Sequence, residues 1–132
     1  MKKQSKVLSV VLTVALAISM TSVCFAEAKT FTKVNVDSNS YSYIVSYTKT
    51  QRSETATVNI TDIYKANGDP SNYRRVNAKA TSTGTPENIE KGSDYELDIP
   101  SSYQGKGSMV TLYCMGNDPA LDCKISGRFN AY

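Results

Sequence analysis

The chain contains no histidine, and that absence decides more about its chemistry than any single residue present. Without an imidazole there is no Ser-His-Asp triad, no Cys-His pair and no histidine metal site. Asp94, Glu96 and Asp98 are the strongest remaining candidates for chemistry. On a strand they would stand on one face at intervals of roughly 7 Å. Paired carboxylates can act as acid and base on a glycosidic bond, or supply oxygen ligands to calcium. The same alternation is what a half-buried strand shows on its wet face for solubility alone, and that is the expected reading. Serines and lysines are numerous, but no Ser-x-x-Lys stands ahead of the companion fragments that Ser-Lys hydrolases use. No catalytic residue, metal or cofactor is therefore expected.

Two features suit binding and stability better than catalysis. Nine tyrosines lie beyond residue 26, and there is no tryptophan. Tyr41, Tyr43 and Tyr47 fall on one face of a single alternating segment. Exposed, they would form a flat amphipathic strip for sugar rings or a protein partner; turned inward, they are core. Tyr64, Tyr73 and Tyr103 flank or occupy turn-rich stretches, as do Asn67, Asp69 and Asn72, where a site grafted on a rigid scaffold would sit. The expected binding set is Tyr41, Tyr43, Tyr47, Tyr73 and Tyr103. Cys114 and Cys123 are separated by eight residues that include Gly116-Asn117-Asp118-Pro119. In an exported chain such a pair reads as one disulfide, stapling two strands joined by that turn. A loop this short would contribute roughly 2–3 kcal/mol. No Cys-x-x-Cys is present to suggest redox catalysis.

Export is legible at the N-terminus. Lys2, Lys3 and Lys6 precede an apolar run from Val7 to Met20, and small residues come after it at Cys24, Ala26 and Ala28. This is the pattern of a signal peptide, residues 1–26, with cleavage after Ala26 or Ala28. The apolar run is shorter than the roughly 20 residues that span a bilayer, so stable membrane insertion is not expected after its removal. Val23 before Cys24 and Phe25 after it do not fit a lipidation site. The short, Lys-rich start has a bacterial look. Removing residues 1–26 takes three of the fifteen basic residues, leaving twelve against twelve acidic ones. No basic patch of the kind that binds nucleic acid survives.

The remaining residues, 27–132, suit one domain. Seven β-rich segments alternate with turn clusters: Phe31–Val36, Tyr41–Thr50, Thr55–Tyr64, Tyr73–Ala80, Asp94–Ile99, Met109–Met115 and Cys123–Phe129. Period-two patterning places Thr32, Val34 and Val36 together, then Ala56, Val58 and Ile60, then Val76, Ala78 and Ala80, then Tyr95, Leu97 and Ile99. The stretch from Thr81 to Gly92 reads as a longer connection, and Arg74-Arg75 as protection of a sheet edge. Strands at this spacing predict an all-β protein, a small antiparallel sandwich or partly open barrel.

The layout, a signal peptide and then a short tyrosine-rich β domain, resembles that of small secreted bacteriocins. The resemblance covers layout alone and carries over no residue. Three classes of function fit. The preferred one is a non-catalytic extracellular or cell-envelope binding module that grips a cell-surface glycan or protein. The alternative is a secreted antagonist, either a bacteriocin-like antimicrobial or an enzyme inhibitor. A hydrolase working through Asp94, Glu96 and Asp98 comes last. Fold class cannot choose among them.

Overall fold

The computed structural model describes residues 28–117 and 121–132. The expected signal peptide and the Asp118-Pro119 part of the expected turn lie outside the described residues. Eight strands run in the order β1 (Lys29–Val36), β2 (Ser42–Thr48), β3 (Thr55–Lys65), β4 (Arg75–Ala80), β5 (Glu87–Glu90), β6 (Asp94–Asp98), β7 (Met109–Gly116) and β8 (Cys123–Asn130). A single turn of 3-10 helix, Ser101–Tyr103, lies between β6 and β7. The strands form two antiparallel sheets, β1-β8-β3-β6 and β2-β7-β4-β5. Packed together, they make the sandwich that the alternation predicts. Among the described residues no helix is long and apolar enough to cross a membrane.

The strand beyond the expected seven is β5. It carries one buried residue, Ile89, which pairs with Val76, while Glu87, Asn88 and Glu90 are polar. One apolar residue in four leaves no periodicity to detect. The charges suit an edge strand that must resist pairing with other chains. Arg74 and Arg75 do not guard an edge directly, because β4 lies between β7 and β5. They grip the outer strand instead: Arg74 Nε donates to Glu90 at 2.9 Å, and Arg75 to Asn88 at 2.9 Å.

Three strands break the period of two, and each break relocates side chains. An extra residue in one strand of an antiparallel pair bends it and shifts the facing of the residues beyond it. In β1 the register slips between Phe31 and Val34, with Lys33 at φ +47°. Phe31 thus enters the core, and Thr32 is left exposed. In β2 the slip lies between Tyr43 and Val45, so Ile44 and Tyr47 are both buried, three positions apart. In β3 it lies between Ile60 and Asp62, and Ile63 takes the next inward place. Elsewhere the inward residues are those that simple alternation selects, among them Val58, Ile60, Val76, Ala78 and Leu97.

The expected hairpin staple is overturned. β7 pairs with β2 and β4, whereas β8 pairs with β1 and β3. Cys114 and Cys123 therefore sit on facing sheets, and both are free, buried thiols. The chain between them crosses from one sheet to the other. Gly116 marks the tight point of that crossing: its N–H donates to the Asp37 carbonyl at 2.9 Å. A Cβ there would lie 2.5 Å from the Leu121 carbonyl oxygen. Burial pushes both thiols up, Cys123 to about 11 with Asp122 adding to the effect, and Cys114 further still. Neither has thiolate character at neutral pH.

Candidate functional site

The tyrosines converge on the outer face of the β2-β7-β4-β5 sheet. On β7 the residues Met109, Thr111, Tyr113 and Met115 alternate outward, opposite the buried Val110, Leu112 and Cys114. Tyr113 stands between Tyr43 of β2 and Lys79 of β4, both its register partners. The rings of Tyr43 and Tyr113 meet edge to face, centroids 6.4 Å apart and planes at 84°, the arrangement favoured by the ring quadrupoles. Lys79 Nζ lies 4.4 Å from the centre of the Tyr41 ring and donates to the Ser82 carbonyl at 2.7 Å. Partial burial, with Cys114 adding to it, pushes the Tyr41 phenol up, so it stays a neutral donor. Below Tyr43, the hydroxyls of Ser46 and Thr111 share a 2.7 Å hydrogen bond.

Beside this strip is a shallow depression of about 170 Å³ lined by Thr81, Ser82, Tyr103, Met109, Thr111 and Tyr113. Its lining carries no charge. Met109, 60 % exposed, forms an apolar lip. Thr81 is strained: it holds φ +66°, a left-handed conformation, although it is β-branched. Such conformations cost about 1–3 kcal/mol and persist where surrounding structure enforces them. The enforcing contacts are its N–H to the Thr111 carbonyl at 2.7 Å and the turn closed by Gly84. A Cβ on Gly84 would collide with the Ala80 carbonyl, 1.9 Å away. The Thr81 hydroxyl is buried and has no hydrogen-bond partner, a deficit of about 1–3 kcal/mol.

Of the five tyrosines singled out from the sequence, the structure brings three to this face: Tyr41, Tyr43 and Tyr103. Tyr47 leaves the strip because of the β2 bulge and is core, 6 % exposed. Tyr73 packs partly against the core ahead of β4, at the far end of the sheet from Tyr103, with its N–H on Ser71 Oγ at 3.2 Å. Sequence reasoning missed Tyr113, Met109, Lys79 and Thr81. Tyr113 was discoverable in principle from the outward alternation of the Met109–Met115 segment. Thr81 had no sequence signal, because its strain comes from the turn it enters.

The carboxylates raised as catalytic candidates stand on the outer face of β6. Asp94 is held by Asn59 Nδ2 at 2.8 Å and Arg128 at 3.3 Å, and these partners hold its carboxyl below the ordinary range. Glu96 and Asp98 are exposed on the same wet face. Among the described residues no three thiols or carboxylates are grouped to hold a metal ion. A Ser-Lys pair does exist, in a place the sequence did not suggest. Lys49, 2 % exposed, donates to Ser53 Oγ at 2.8 Å and to the Ser53 carbonyl at 2.5 Å. Burial, with Arg52 nearby, holds the Lys49 ammonium below its ordinary value. The Ser53 hydroxyl, however, is committed to the carbonyls of Thr55 and Ala131, at 3.0 and 2.9 Å. The pair clasps the end of β2 to the C-terminal residues, and its serine has no free trajectory toward a substrate. No protein-family model, curated protein or solved structure matches the chain, so the site is defined by its own geometry.

Proposed function

We propose that this protein is a non-catalytic extracellular binding module that grips a cell-surface glycan or protein through the outer face of the β2-β7-β4-β5 sheet. The signal-peptide pattern of residues 1–26 supports export. The observation that carries the binding reading is the meeting of Tyr103, Tyr113 and Met109 at a depression whose strained Thr81 has a hydroxyl without a partner, with Tyr41 and Tyr43 on the strip beside it. Tyrosine rings offer large contact area with little rotamer entropy to lose, plus a hydroxyl to orient a partner. The uncharged lining suits recognition by shape and hydrogen bonds.

The test is binding of the purified protein to intact cells, to protease-treated cells and to isolated cell-wall glycan. Saturable binding, lost in a Tyr43→Ala/Tyr113→Ala variant that melts as a folded protein, supports the reading. Sensitivity to protease separates a protein target from a glycan. Binding to none of the three materials sinks the proposal.

A further inference from the structure

The opposite face of the sandwich carries a second depression, independent of the tyrosine cluster. It occupies about 550 Å³ over the middle of the β1-β8-β3-β6 sheet, within the range of small-ligand sites. The bulges of β1 and β3 both fall opposite Ser126-Gly127 of β8, one on each side. Bulges recur where a sheet re-aims side chains around a site. Gly127 itself must stay bare, because a Cβ there would lie 2.1 Å from the Asn59 carbonyl oxygen and 2.8 Å from the Phe31 ring. The side chains of Thr30, Thr32, Thr61, Tyr64 and Arg128 ring the hollow.

Asn59 points to the ligand. It is 9 % exposed, lines the depression, and its Oδ1 has no partner. The amide cannot be turned to cure this, since Nδ2 must face the Asp94 carboxylate, an acceptor 2.8 Å away. The wall therefore holds a fixed, buried acceptor that lacks a donor, a group that a ligand hydroxyl or N–H would satisfy. Arg128 donates from the same wall, and the threonine hydroxyls serve in either sense. The charges around the hollow are of both signs: Lys33, Lys124 and Arg128 are cations, Asp62 and Asp94 anions. Lys33 is held by the Tyr64 ring, 4.8 Å from its centre, and Arg128 by Asp94. The one charged residue of the lining, Arg128, is already engaged by Asp94, and the hydroxyl-rich wall with Tyr64 beside it fits a neutral sugar ring.

We propose that this depression is a second binding site, which takes a neutral saccharide unit with one of its hydroxyls donating to Asn59 Oδ1. The experiment is a nuclear magnetic resonance titration of nitrogen-labelled protein, separately with cellotetraose, chitotetraose and tetragalacturonate, up to about 10 mM. At least one neutral oligosaccharide should move the Ser126, Gly127 and Thr61 amides and the Asn59 side-chain amide saturably. Asn59→Leu should weaken that binding by about tenfold or more. Should Asn59→Leu fail to fold, Thr61→Ala and Arg128→Ala, on the exposed rim, should each weaken it severalfold. Tyr43→Ala should leave it unchanged, so failure here and failure of the tyrosine-face reading are separable. Absence of shifts with both neutral sugars, tighter binding of the acidic one, or shifts confined to the β2-β7-β4-β5 face would overturn the assignment.

Discussion

Tyr43 and Tyr47 look interchangeable in the sequence, yet replacing each with alanine should give opposite phenotypes. Tyr47 lies in the core opposite Val110. Truncating a buried aromatic to alanine costs about 3–5 kcal/mol, a large part of the roughly 5–15 kcal/mol available to a domain. At about 4–8 °C per kcal/mol for a domain near this size, the melting temperature should fall by about 12–40 °C. Tyr43 is 60 % exposed and loses chiefly its edge-to-face contact with Tyr113, worth about 0.5–1.5 kcal/mol. Its melting temperature should fall by about 2–12 °C. Binding to cells should instead drop about tenfold, equivalent to about 1.4 kcal/mol, as for an aromatic anchor in a contact patch. Thermal melts monitored by circular dichroism, with cell-binding isotherms on the same samples, measure both. Equal loss of stability in the two variants would refute the bulge at Ile44, and full binding by Tyr43→Ala would remove that ring from the site.

Relief of strain at Thr81 by Thr81→Gly should raise stability by about 0.5–1.5 kcal/mol, since a left-handed β-branched residue costs more than glycine's added chain entropy; a lower melting temperature would contradict the strain. Lys49→Met keeps the buried stem but strips Ser53 of two hydrogen bonds, and the urea midpoint should report a loss of about 1–3 kcal/mol. An unchanged midpoint would mean that the clasp adds no net stability. Asp94 and Glu90 have native carboxyls held below their ordinary values of 3.8 and 4.5, Asp94 by Asn59 and then Arg128, Glu90 by Arg74. The unfolded chain therefore takes up these protons first, and their contribution is intact above about pH 4.5 and lost as pH falls through the native values. Midpoints measured from pH 6 to pH 3 should fall more steeply for the parent than for Glu90→Gln/Asp94→Asn, and parallel curves would disprove the linkage. In reduced protein, neither Cys114 nor Cys123 should react with a disulfide reagent at pH 8 until urea unfolds the chain, and rapid native labelling of either would contradict their burial.

The fold class was legible because strand periodicity is a local signal. The alternation of Thr55–Ile60, of Asp94–Ile99 and of Met109–Met115 arises because each strand has one wet and one dry face. Simple alternation groups Thr32 with Val34 and Val36, and Tyr47 with Tyr41 and Tyr43, and both groupings fail for one reason: a bulge is a property of a strand pair, and the partner strand is not visible along the chain. Strand pairing was equally hidden for the cysteines. Gly116 to Cys123 looks like a hairpin turn because turn residues mark a change of direction, and they do not say whether the chain returns to its own sheet or crosses to the other. At the candidate site, Tyr41, Tyr43 and Tyr103 were found by residue type, whereas Tyr113 and Lys79 needed the register of β7 against β2 and β4. β5 escaped because a four-residue edge strand with one buried side chain is shorter than any detectable period.

Several departures from local regularity fall at the two depressions, as the proposed binding role expects. Among the described residues three non-glycine positions have positive φ: Thr81, Lys33 and Tyr132. Thr81 lines the hollow beside Tyr103 and Tyr113, Lys33 sits in the bulge beside the hollow over Gly127, and Tyr132 is the last residue. The two buried side-chain atoms lacking a hydrogen-bond partner among the described residues, Thr81 Oγ1 and Asn59 Oδ1, divide between the same two hollows. A sequence with an otherwise consistent core gains nothing in stability from these features, and folding alone does not require them. A buried catalytic centre would instead concentrate its irregularity around titratable groups. Among the described residues the buried titratable groups are Lys49, clasped to Ser53, the core residue Tyr47, and two thiols with no thiolate character. Both unpartnered atoms are buried, and the residues that carry them line the two hollows.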